Sequence, residues 1–253
     1  MRTADSLADA AAVVAEASRI AVLSGAGIST ESGIPDFRGP DGLWTRNPGA
    51  ERMSNLQAYR DDPEVRLRSW HARLAHPVWD AVPNAAHRAL VTLEEAGRLH
   101  AILTQNIDRL HQRAGSDPGL VVELHGSMFE TACLSCGDRR PMRAALDRVE
   151  AGEADPPCLV CGGILKSATI SFGQSLDVLV LARAREAAAT CDLMLAVGSS
   201  LAVQPAAGLV GLAARAGATV VICNGSETPY DRLAAFVLRD RLGTVLPELV
   251  RGS

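Results

Sequence analysis

The chain has 253 residues, of which 47% are hydrophobic and only 4% aromatic, and its formal net charge is -4 at pH 7. This length can build one sizeable core, or a large domain with a small satellite, and an excess of Ala, Val, Leu and Gly favours helices packed on a parallel sheet over a β-sandwich. The negative charge excludes a basic field that holds nucleic acid, so we expect no direct nucleic-acid partner.

The N-terminal segment resembles neither a targeting signal nor a membrane anchor. Acidic residues stand where a signal peptide needs a basic start, and no apolar run approaches the ~20 residues of a membrane span. We therefore expect a cytoplasmic protein without a membrane partner, in which cysteines stay reduced and paired cysteines indicate metal or redox chemistry before disulfides. The sequence does not determine the oligomeric state, although it is compatible with a monomer.

Predicted strands and helices alternate along most of the chain. Residues 5–18 have the pattern of an amphipathic helix, and residues 19–24 that of an apolar strand that runs into a glycine loop. Further strands are predicted at 101–104, 120–124, 168–172, 193–197, 219–223 and 235–238, and further helices at 85–96 and 205–216. The alternation predicts an α/β fold with a doubly wound parallel sheet, which binds ligands at the carboxyl ends of its strands.

Two segments interrupt this alternation. Residues 40–82 are rich in charge, Trp, Pro and His and contain a predicted helix at 63–75, whereas residues 128–167 hold four cysteines and little apolar periodicity. We expect these two segments to form a small lobe. Residues 1–39, 83–127 and 168–253 then form the large lobe.

Two C-x-x-C pairs predict a structural zinc site. Cys133 and Cys136, followed by Cys158 and Cys161, have a spacing close to that of zinc ribbons, and four thiolates form a closed tetrahedral shell that leaves no place for a catalytic water. Two redox pairs or unrelated buried thiols are the alternative interpretation. The remaining cysteines, Cys191 and Cys223, lie in the apolar alternation and are predicted to be core residues.

Polar or glycine-rich clusters follow five of the predicted strands. The loop Gly25-Ala26-Gly27 allows backbone N–H groups to approach a pyrophosphate, although it is not the dehydrogenase fingerprint and an ordinary tight turn remains possible. Residues 104–108 offer amides and a carboxylate to a ligand, or form a helix cap. Residues 198–200 and 224–226 suit ribose and adenine contacts, or are turns. Strand ends of a parallel sheet share one edge, so we expect these clusters to converge.

His125 ends the predicted strand 120–124 and can act as a general base near neutral pH. A lone histidine is more often structural. The other histidines pair with no acid or nucleophile by spacing and are interpreted as surface or helix-packing residues; they are His71, His76, His87, His100 and His111.

Five stretches resemble the motifs of the sirtuin family in their usual order. They are GAGISTESGIPDFRG at 25–39, TQNIDRLHQRAG at 104–115, LHGSMF at 124–129, the paired cysteines, and GSSLAVQPAA at 198–207. The resemblance, to a bacterial member of unassigned subclass, covers nearly the whole chain. It implies a Rossmann-like large lobe, a small lobe made of a four-cysteine zinc module and a helical insertion, and an acyl-lysine protein or peptide substrate bound in the cleft between the lobes.

Residue by residue, the resemblance implies the following roles. His125, Asn106 and Asp108 are catalytic. The implied NAD contacts are Gly25, Ala26, Gly27, Ser29, Asp36, Phe37, Arg38, Gln105, Asn106, Ile107, Asp108, His125, Gly198, Ser199, Ser200, Asn224, Gly225 and Leu242. The implied substrate contacts are Phe172, Gly173, Leu201 and Val203, with Trp70 and Arg73 as further candidates.

The reaction implied by the resemblance is NAD-dependent deacylation of lysine, with acetyl as the expected acyl group. The acyl oxygen attacks the anomeric carbon as nicotinamide leaves, His125 removes a proton from a ribose hydroxyl, and the acyl group passes to ADP-ribose. NAD is thus consumed as a co-substrate, and one structural Zn²⁺ is bound.

Three departures from the family pattern concern specificity. Ser199 replaces a common Thr and keeps the hydroxyl, whereas Gln174 replaces an acid after Phe172-Gly173 and removes a negative charge from the peptide groove. Trp70 and Arg73 align with the Tyr-x-x-Arg of desuccinylating members; Arg73 can pair with an acidic acyl group, although a plain surface helix is the alternative. In addition, PDFRGPDGLWT at 35–45 resembles a nuclear subclass better than the usual bacterial enzymes.

Three other functions use the same features. A protein ADP-ribosyltransferase would use the same NAD pocket. A catalytically weak NAD-sensing module would need the pocket but not the base, so the combination of His125, Asn106 and Asp108 disfavours it. An NAD-dependent dehydrogenase is excluded because Thr30 replaces the third glycine of its fingerprint and no acidic residue ends a second strand about twenty positions on.

Overall fold

The structure is a computed structural model that describes residues 5–251. It divides into two compact units. The larger unit contains the chain up to Pro35, then Ala81–Leu124, then the chain from Asp177 onward; the smaller unit contains Asp36–Asp80 and His125–Leu176. Within the described residues, every helix is too short or too polar to cross a membrane.

The elements are numbered in chain order. The strands are β1 (Ile20–Ser24), β2 (Leu99–Thr104), β3 (Val121–Glu123), β4 (Gly126–Cys133), β5 (Arg139–Pro141), β6 (Leu165–Thr169), β7 (Leu193–Val197), β8 (Thr219–Cys223) and β9 (Phe236–Leu238). The α-helices are α1 (Asp5–Glu16), α2 (Leu43–Arg46), α3 (Leu56–Asp61), α4 (Pro63–Leu74), α5 (Ala85–Glu95), α6 (Leu110–Ala114), α7 (Met142–Glu150), α8 (Val178–Thr190), α9 (Gly208–Arg215) and α10 (Leu242–Val250).

A six-stranded parallel sheet forms the centre of the larger unit. Its strand order is β3-β2-β1-β7-β8-β9, so the chain builds outward from β1 on one side and then returns to β1 and builds outward on the other. The topological switch point therefore lies between β1 and β7. In open parallel sheets ligands bind at this point, beyond the carboxyl ends of the strands.

The core of the larger unit is built by side-chain alternation in buried strands. All five residues of β1 are buried, and Ile20 and Val22 point into a cluster with α1, α5 and α10. Ala21 and Leu23 therefore point to the opposite face, because successive side chains alternate across a strand. Such strands need apolar residues on both faces, which explains their continuous hydrophobic sequence.

The smaller unit is built on a three-stranded antiparallel sheet of order β5-β4-β6. A separate hydrophobic cluster joins α4 and α7 to the cysteine module and contains Trp70, Cys133, Met142 and Leu146, among others. Helix α7 presents Met142, Leu146 and Val149 at helical spacing to this cluster. The amphipathic helix α7 and most of β4 thus lie in the segment 128–167, where the sequence shows little apolar periodicity.

The predicted fold class is confirmed: a doubly wound parallel sheet accompanies a smaller part with a four-cysteine cluster. The strand predicted at 168–172 in the main sheet is wrong. The strand here is β6, which ends at Thr169 and pairs antiparallel with β4 in the smaller unit. An apolar run shows that a segment is buried, but it does not show which neighbouring strand it joins.

Candidate active site and metal site

The glycine loop after β1 is packed against the end of β7 at the switch point. Gly25 N donates to Val197 O at 3.0 Å, and Gly27 N donates to Gly198 O at 2.8 Å. A Cβ on Gly27 would lie 2.8 Å from Gly198 Cα, and one on Gly25 would lie 2.7 Å from Gly198 O. Both N–H groups are donated to backbone carbonyls, whereas the sequence predicts that they approach a pyrophosphate. The missing side chains of the two glycines allow two loops to touch.

Asn106, Asp108 and Ser29 form a buried hydrogen-bonded cluster beside this contact. Asn106 Nδ2 donates to Gly25 O at 3.1 Å and to Ser29 Oγ at 3.2 Å, while Ser29 Oγ donates to Asp108 Oδ2 at 2.7 Å. Asp108 Oδ1 also accepts from Leu110 N at 2.9 Å, so the helix-cap interpretation is part of the arrangement. Desolvation raises the pKa of Asp108 despite these hydrogen bonds. The cluster joins the ends of β1 and β2 through side chains.

Gln105 and Ser199 connect β2 with the loop after β7. Gln105 Nε2 donates to Ser199 Oγ at 2.9 Å, and the same oxygen accepts from Leu201 N at 3.2 Å. Leu201 is 1% exposed and has φ of +52°, a left-handed conformation that non-glycine residues rarely adopt. The sequence contains no signal for this backbone conformation, which directs the loop that follows Ser200.

Two further predicted NAD contacts, Asn224 and Leu242, lie after β8 and at the start of α10. Asn224 follows β8 and its Nδ2 donates to Ser226 O at 2.9 Å, which forms a turn that includes Gly225. Leu242 begins α10 and is 7% exposed, in the core cluster. Glu31 is not among the predicted residues, but its Oε1 accepts from Gly243 N at 2.9 Å and so ties the 3-10 helix Ala26–Ser32, which follows Gly25, to α10.

Two histidines that were interpreted as surface or helix-packing residues are fully buried beneath these clusters. His87 and His111 are 0% and 1% exposed, and their rings meet edge to face with centroids 5.1 Å apart. His111 Nε2 hydrogen-bonds Ser24 Oγ at 2.9 Å, and that oxygen also donates to Thr104 Oγ1 at 2.9 Å. Desolvation lowers the pKa of His111 to about 3 and that of His87 to about 4, so both rings are neutral.

In the smaller unit, Asp36, Phe37 and Arg38 are organised around Trp44. Asp36 Oδ1 accepts from Gly39 N at 2.8 Å and so closes a turn. The Arg38 guanidinium lies 4.6 Å from the centroid of the Trp44 ring, and the Phe37 ring lies 4.8 Å from it. Trp44 is therefore a structural partner of these predicted residues, and sequence reasoning did not identify it.

His125 is the first residue of the smaller unit's second segment and lies immediately before β4. Its carbonyl accepts from Ile170 N at 2.9 Å. Gly126 follows with φ of +69°, and a Cβ at this position would overlap Ala168 O. The glycine is therefore required because the backbone turns from β3 into β4 directly against β6, and this turn fixes the position of the His125 backbone.

The predicted substrate residues are also placed by backbone contacts. Phe172 donates its N–H to Ser54 O at 2.8 Å and its carbonyl accepts from Leu56 N at 3.0 Å, and the residue is 38% exposed. Gly173 follows with φ of +84° and open space around its Cα. In the larger unit, Val203 follows the left-handed Leu201.

Trp70 and Arg73 lie on the inner side of α4, which differs from the alternative interpretation of a plain surface helix. Trp70 is 1% exposed and donates its indole N–H to Asp155 Oδ1 at 3.3 Å. Arg73 is partly buried and donates to Ser167 Oγ at 3.4 Å. The Trp70 side chain is thus held in the hydrophobic cluster of the smaller unit.

The four cysteines converge on one point. Their sulfur atoms all lie within 4.8 Å of one another, and the Cys133–Cys161 and Cys136–Cys158 sulfur pairs are 3.5 and 3.7 Å apart. A tetrahedral zinc with bonds of about 2.3 Å needs sulfur separations of about 3.8 Å. The donor set therefore fits one structural Zn²⁺.

Comparisons with known proteins agree with this geometry. A "NAD-dependent protein deacetylase 2" of Streptomyces coelicolor is 52% identical over 92% of this chain and 97% of its own length. A "NAD-dependent protein deacylase 1" of Archaeoglobus fulgidus is 40% identical over 94% of each chain. A solved structure of a Sir2 enzyme superposes with a TM-score of 0.89 at 38% identity, covering 98% of this chain and 97% of that chain. A solved complex of Sir2 with a p53 peptide and NAD+ superposes with a TM-score of 0.85 at 34% identity, covering 99% of this chain and 98% of that chain.

The family model described as "Sir2 family" matches residues 25–205, which span the glycine loop, His125, the cysteine module and the loop after β7. With this match and relatives of up to 52% identity, the chain belongs to the Sir2, or sirtuin, family.

Proposed function

We propose that the protein is an NAD-dependent protein lysine deacylase, with acetyl-lysine as its main substrate, that transfers the acyl group to ADP-ribose and releases nicotinamide. The observation that carries the proposal is the buried cluster of Asn106, Asp108 and Ser29 at the switch point of the sheet. It occurs in a chain whose relatives are named NAD-dependent protein deacetylases and deacylases. NAD is then a substrate that binds at the larger unit's strand ends.

The larger unit would bind NAD through the clusters that follow β1, β2, β7 and β8. Ser199, Ser200 and Asn224 offer hydroxyl and amide groups to the adenosine half, as the resemblance implies. Asn106 and Asp108 would lie on the nicotinamide side. The buried Asp108 carboxylate would stabilise the positive charge of the nicotinamide ring, and then the positive charge that develops on the sugar carbon as nicotinamide leaves. The low dielectric constant around the carboxylate would strengthen this interaction.

The two hydrogen bonds at Ser29 Oγ would give that carboxylate one orientation. Ser29 Oγ donates to Asp108 and accepts from Asn106, so neither side chain can rotate without breaking a buried hydrogen bond. An unsatisfied buried polar group costs about 1–3 kcal/mol. The site is therefore preorganised before a substrate binds, which is the condition for electrostatic stabilisation of a transition state.

His125 would act as the general base. An imidazole can take a proton near neutral pH, and the proton in question belongs to a ribose hydroxyl of NAD. Removal of this proton makes the hydroxyl oxygen a nucleophile toward the acyl carbon already joined to the sugar. The lysine amine would then leave, and one water would be consumed as the acyl group remains on the ribose and O-acyl-ADP-ribose forms.

Phe172 and Gly173 would contact the substrate peptide, as would Leu201 and Val203; these roles are the ones that the resemblance implies. Because Gln174 carries no charge, we expect no preference for basic residues beside the acyl-lysine. We expect acetyl to be preferred, because the Trp70 indole N–H is donated to Asp155 and so does not contribute to an acidic acyl site.

The cysteine module would hold Zn²⁺ in a structural role. All four ligands come from the protein, so the metal supplies folding energy to the smaller unit and takes no part in the reaction. A site of four reduced thiols agrees with a cytoplasmic location, which is part of this proposal.

The variant His125→Ala tests the proposal. We expect deacetylation of an acetyl-lysine peptide to fall by at least about 100-fold, the usual contribution of a general base. The control is His71→Ala, since His71 is exposed on α4, and it should keep full activity. Both variants should retain zinc and thermal stability. Full activity in His125→Ala would disprove the assignment of the base.

A further inference from the structure

A small cavity in the smaller unit is lined by two cationic side chains. Its volume is about 20 Å³, and it lies between α3, α4 and β6. Its walls include Tyr59, Ser69, Trp70, Arg73, Lys166 and Ser167. Lys166 is 4% exposed, although lysine is among the residues that are almost never buried without a partner.

Neither cation forms an ion pair with an acid of the described residues. Lys166 Nζ donates to the carbonyls of Ser167 and Thr169 at 3.1 and 2.5 Å. Arg73, which has five N–H donors, donates to Ser167 Oγ at 3.4 Å, a long hydrogen bond. The positive charge at the cavity is therefore solvated by neutral oxygens and lacks a counter-charge.

Asp155, the acid beside Trp70, already has partners of its own. Asp155 accepts from Trp70 Nε1 at 3.3 Å and forms an ion pair with Arg66 Nε at 2.6 Å. Two like charges in a partly dehydrated site repel each other, and the cost of burying them is large unless an opposite charge is present. Arginine cannot relieve this cost by losing its proton.

We propose that the cavity binds one monatomic inorganic anion of the size of chloride. A volume of about 20 Å³ holds about one particle the size of a water molecule, which excludes phosphate or a carboxylate-bearing chain. Arg73 and the third N–H of Lys166 would donate to the anion, and Ser167 would hold the guanidinium in place. The anion would join α4 to β6 and stabilise the smaller unit, and this inference does not depend on the enzymatic function.

The protonation of Lys166 makes anion binding at this cavity depend on pH. Burial, followed by the charge of Arg73, lowers the pKa of Lys166 to about 7. An anion favours the charged lysine, so it would bind more tightly at pH 6.5 than at pH 8. Two other titratable groups here keep their charge state over this range, because burial raises the pKa of Tyr59 and lowers that of His76 to about 4. Asp155 faces Arg66, with which it forms an ion pair.

Thermal unfolding of the full zinc-loaded chain tests the inference. We would compare sodium chloride with sodium gluconate, whose anion is too large for the cavity, at equal ionic strength. At a tenfold excess over its Kd, chloride should raise the Tm by about 3–6 °C relative to gluconate, and the rise should saturate. Arg73→Gln should remove this difference. Arg68→Gln, on the exposed side of the same helix, should keep it.

The same design gives the results that would overturn the inference. An equal chloride effect in Arg73→Gln and in the unchanged chain would mean that chloride acts elsewhere. The absence of any difference between the two salts in the unchanged chain, which needs no variant to fold, would mean that the cavity holds only water. Crystals grown with bromide should show an anomalous peak in contact with Arg73 and Lys166, and a cavity without this peak would also contradict the proposal.

Discussion

Gly198 is the residue whose replacement most directly tests the packing at the switch point. It follows β7 with φ of +60°, and a Cβ there would overlap Ile28 N and lie 2.7 Å from Gly27 C. Both neighbours are backbone atoms, so no side chain can rotate away. In Gly198→Ala we expect a left-handed penalty of about 1–2 kcal/mol and an overpacking cost of about 1–3 kcal/mol, which together lower the free energy of unfolding by about 2–5 kcal/mol.

The matched control is Gly33→Ala. Gly33 also has a positive φ, +85°, but a Cβ there would meet nothing within 4 Å. Only the conformational cost of about 1–2 kcal/mol applies. Calorimetry should therefore show a larger fall in Tm for Gly198→Ala, at about 2–4 °C per kcal/mol, together with weaker NAD binding in titration calorimetry. Equal Tm values for the two variants would refute the argument that backbone contact explains the glycine loop.

Two further predictions concern the buried histidines and the cysteine module. The pKa values of His111 and His87 fall to about 3 and about 4 on folding, so the free energy of unfolding keeps its full value above the unfolded pKa of about 6.5. Below that pH the unfolded chain binds protons that the folded chain does not, and at pH 5 the free energy of unfolding is lower by about 2 kcal/mol for each histidine. Urea unfolding at pH 7 and pH 5 should show this decrease, and His111→Gln should halve it. An undiminished loss in that variant would contradict the assignment. Cys158→Ser should reduce zinc, measured by mass spectrometry of the metal, well below about one ion per chain, whereas Cys191→Ser, a buried core thiol, should not.

The strands of the main sheet could be predicted closely from the sequence. The predicted residues 193–197 and 219–223 coincide with β7 and β8, because each is a short apolar run buried on both faces. The cysteine cluster could also be predicted, since the C-x-x-C spacing alone brings two sulfurs to one turn.

Features that depend on a partner distant in the chain could not be predicted. Residues 168–172 look like another strand of the main sheet, but β6 joins β4 because Gly126 lets the two backbones touch. Lys166 lies within β6 and is buried, which no local pattern indicates. His87 and His111 lie in helices 24 positions apart in sequence and become buried because each covers the other's ring.

The central claim is that the acyl group is transferred to ADP-ribose rather than to water. Mass spectrometry of the products of an acetyl-lysine peptide and NAD tests it most directly. We predict free peptide, nicotinamide and O-acetyl-ADP-ribose in equal amounts. Acetate with no O-acetyl-ADP-ribose from the start of the reaction, or an adenine label that stays on protein, would contradict the account.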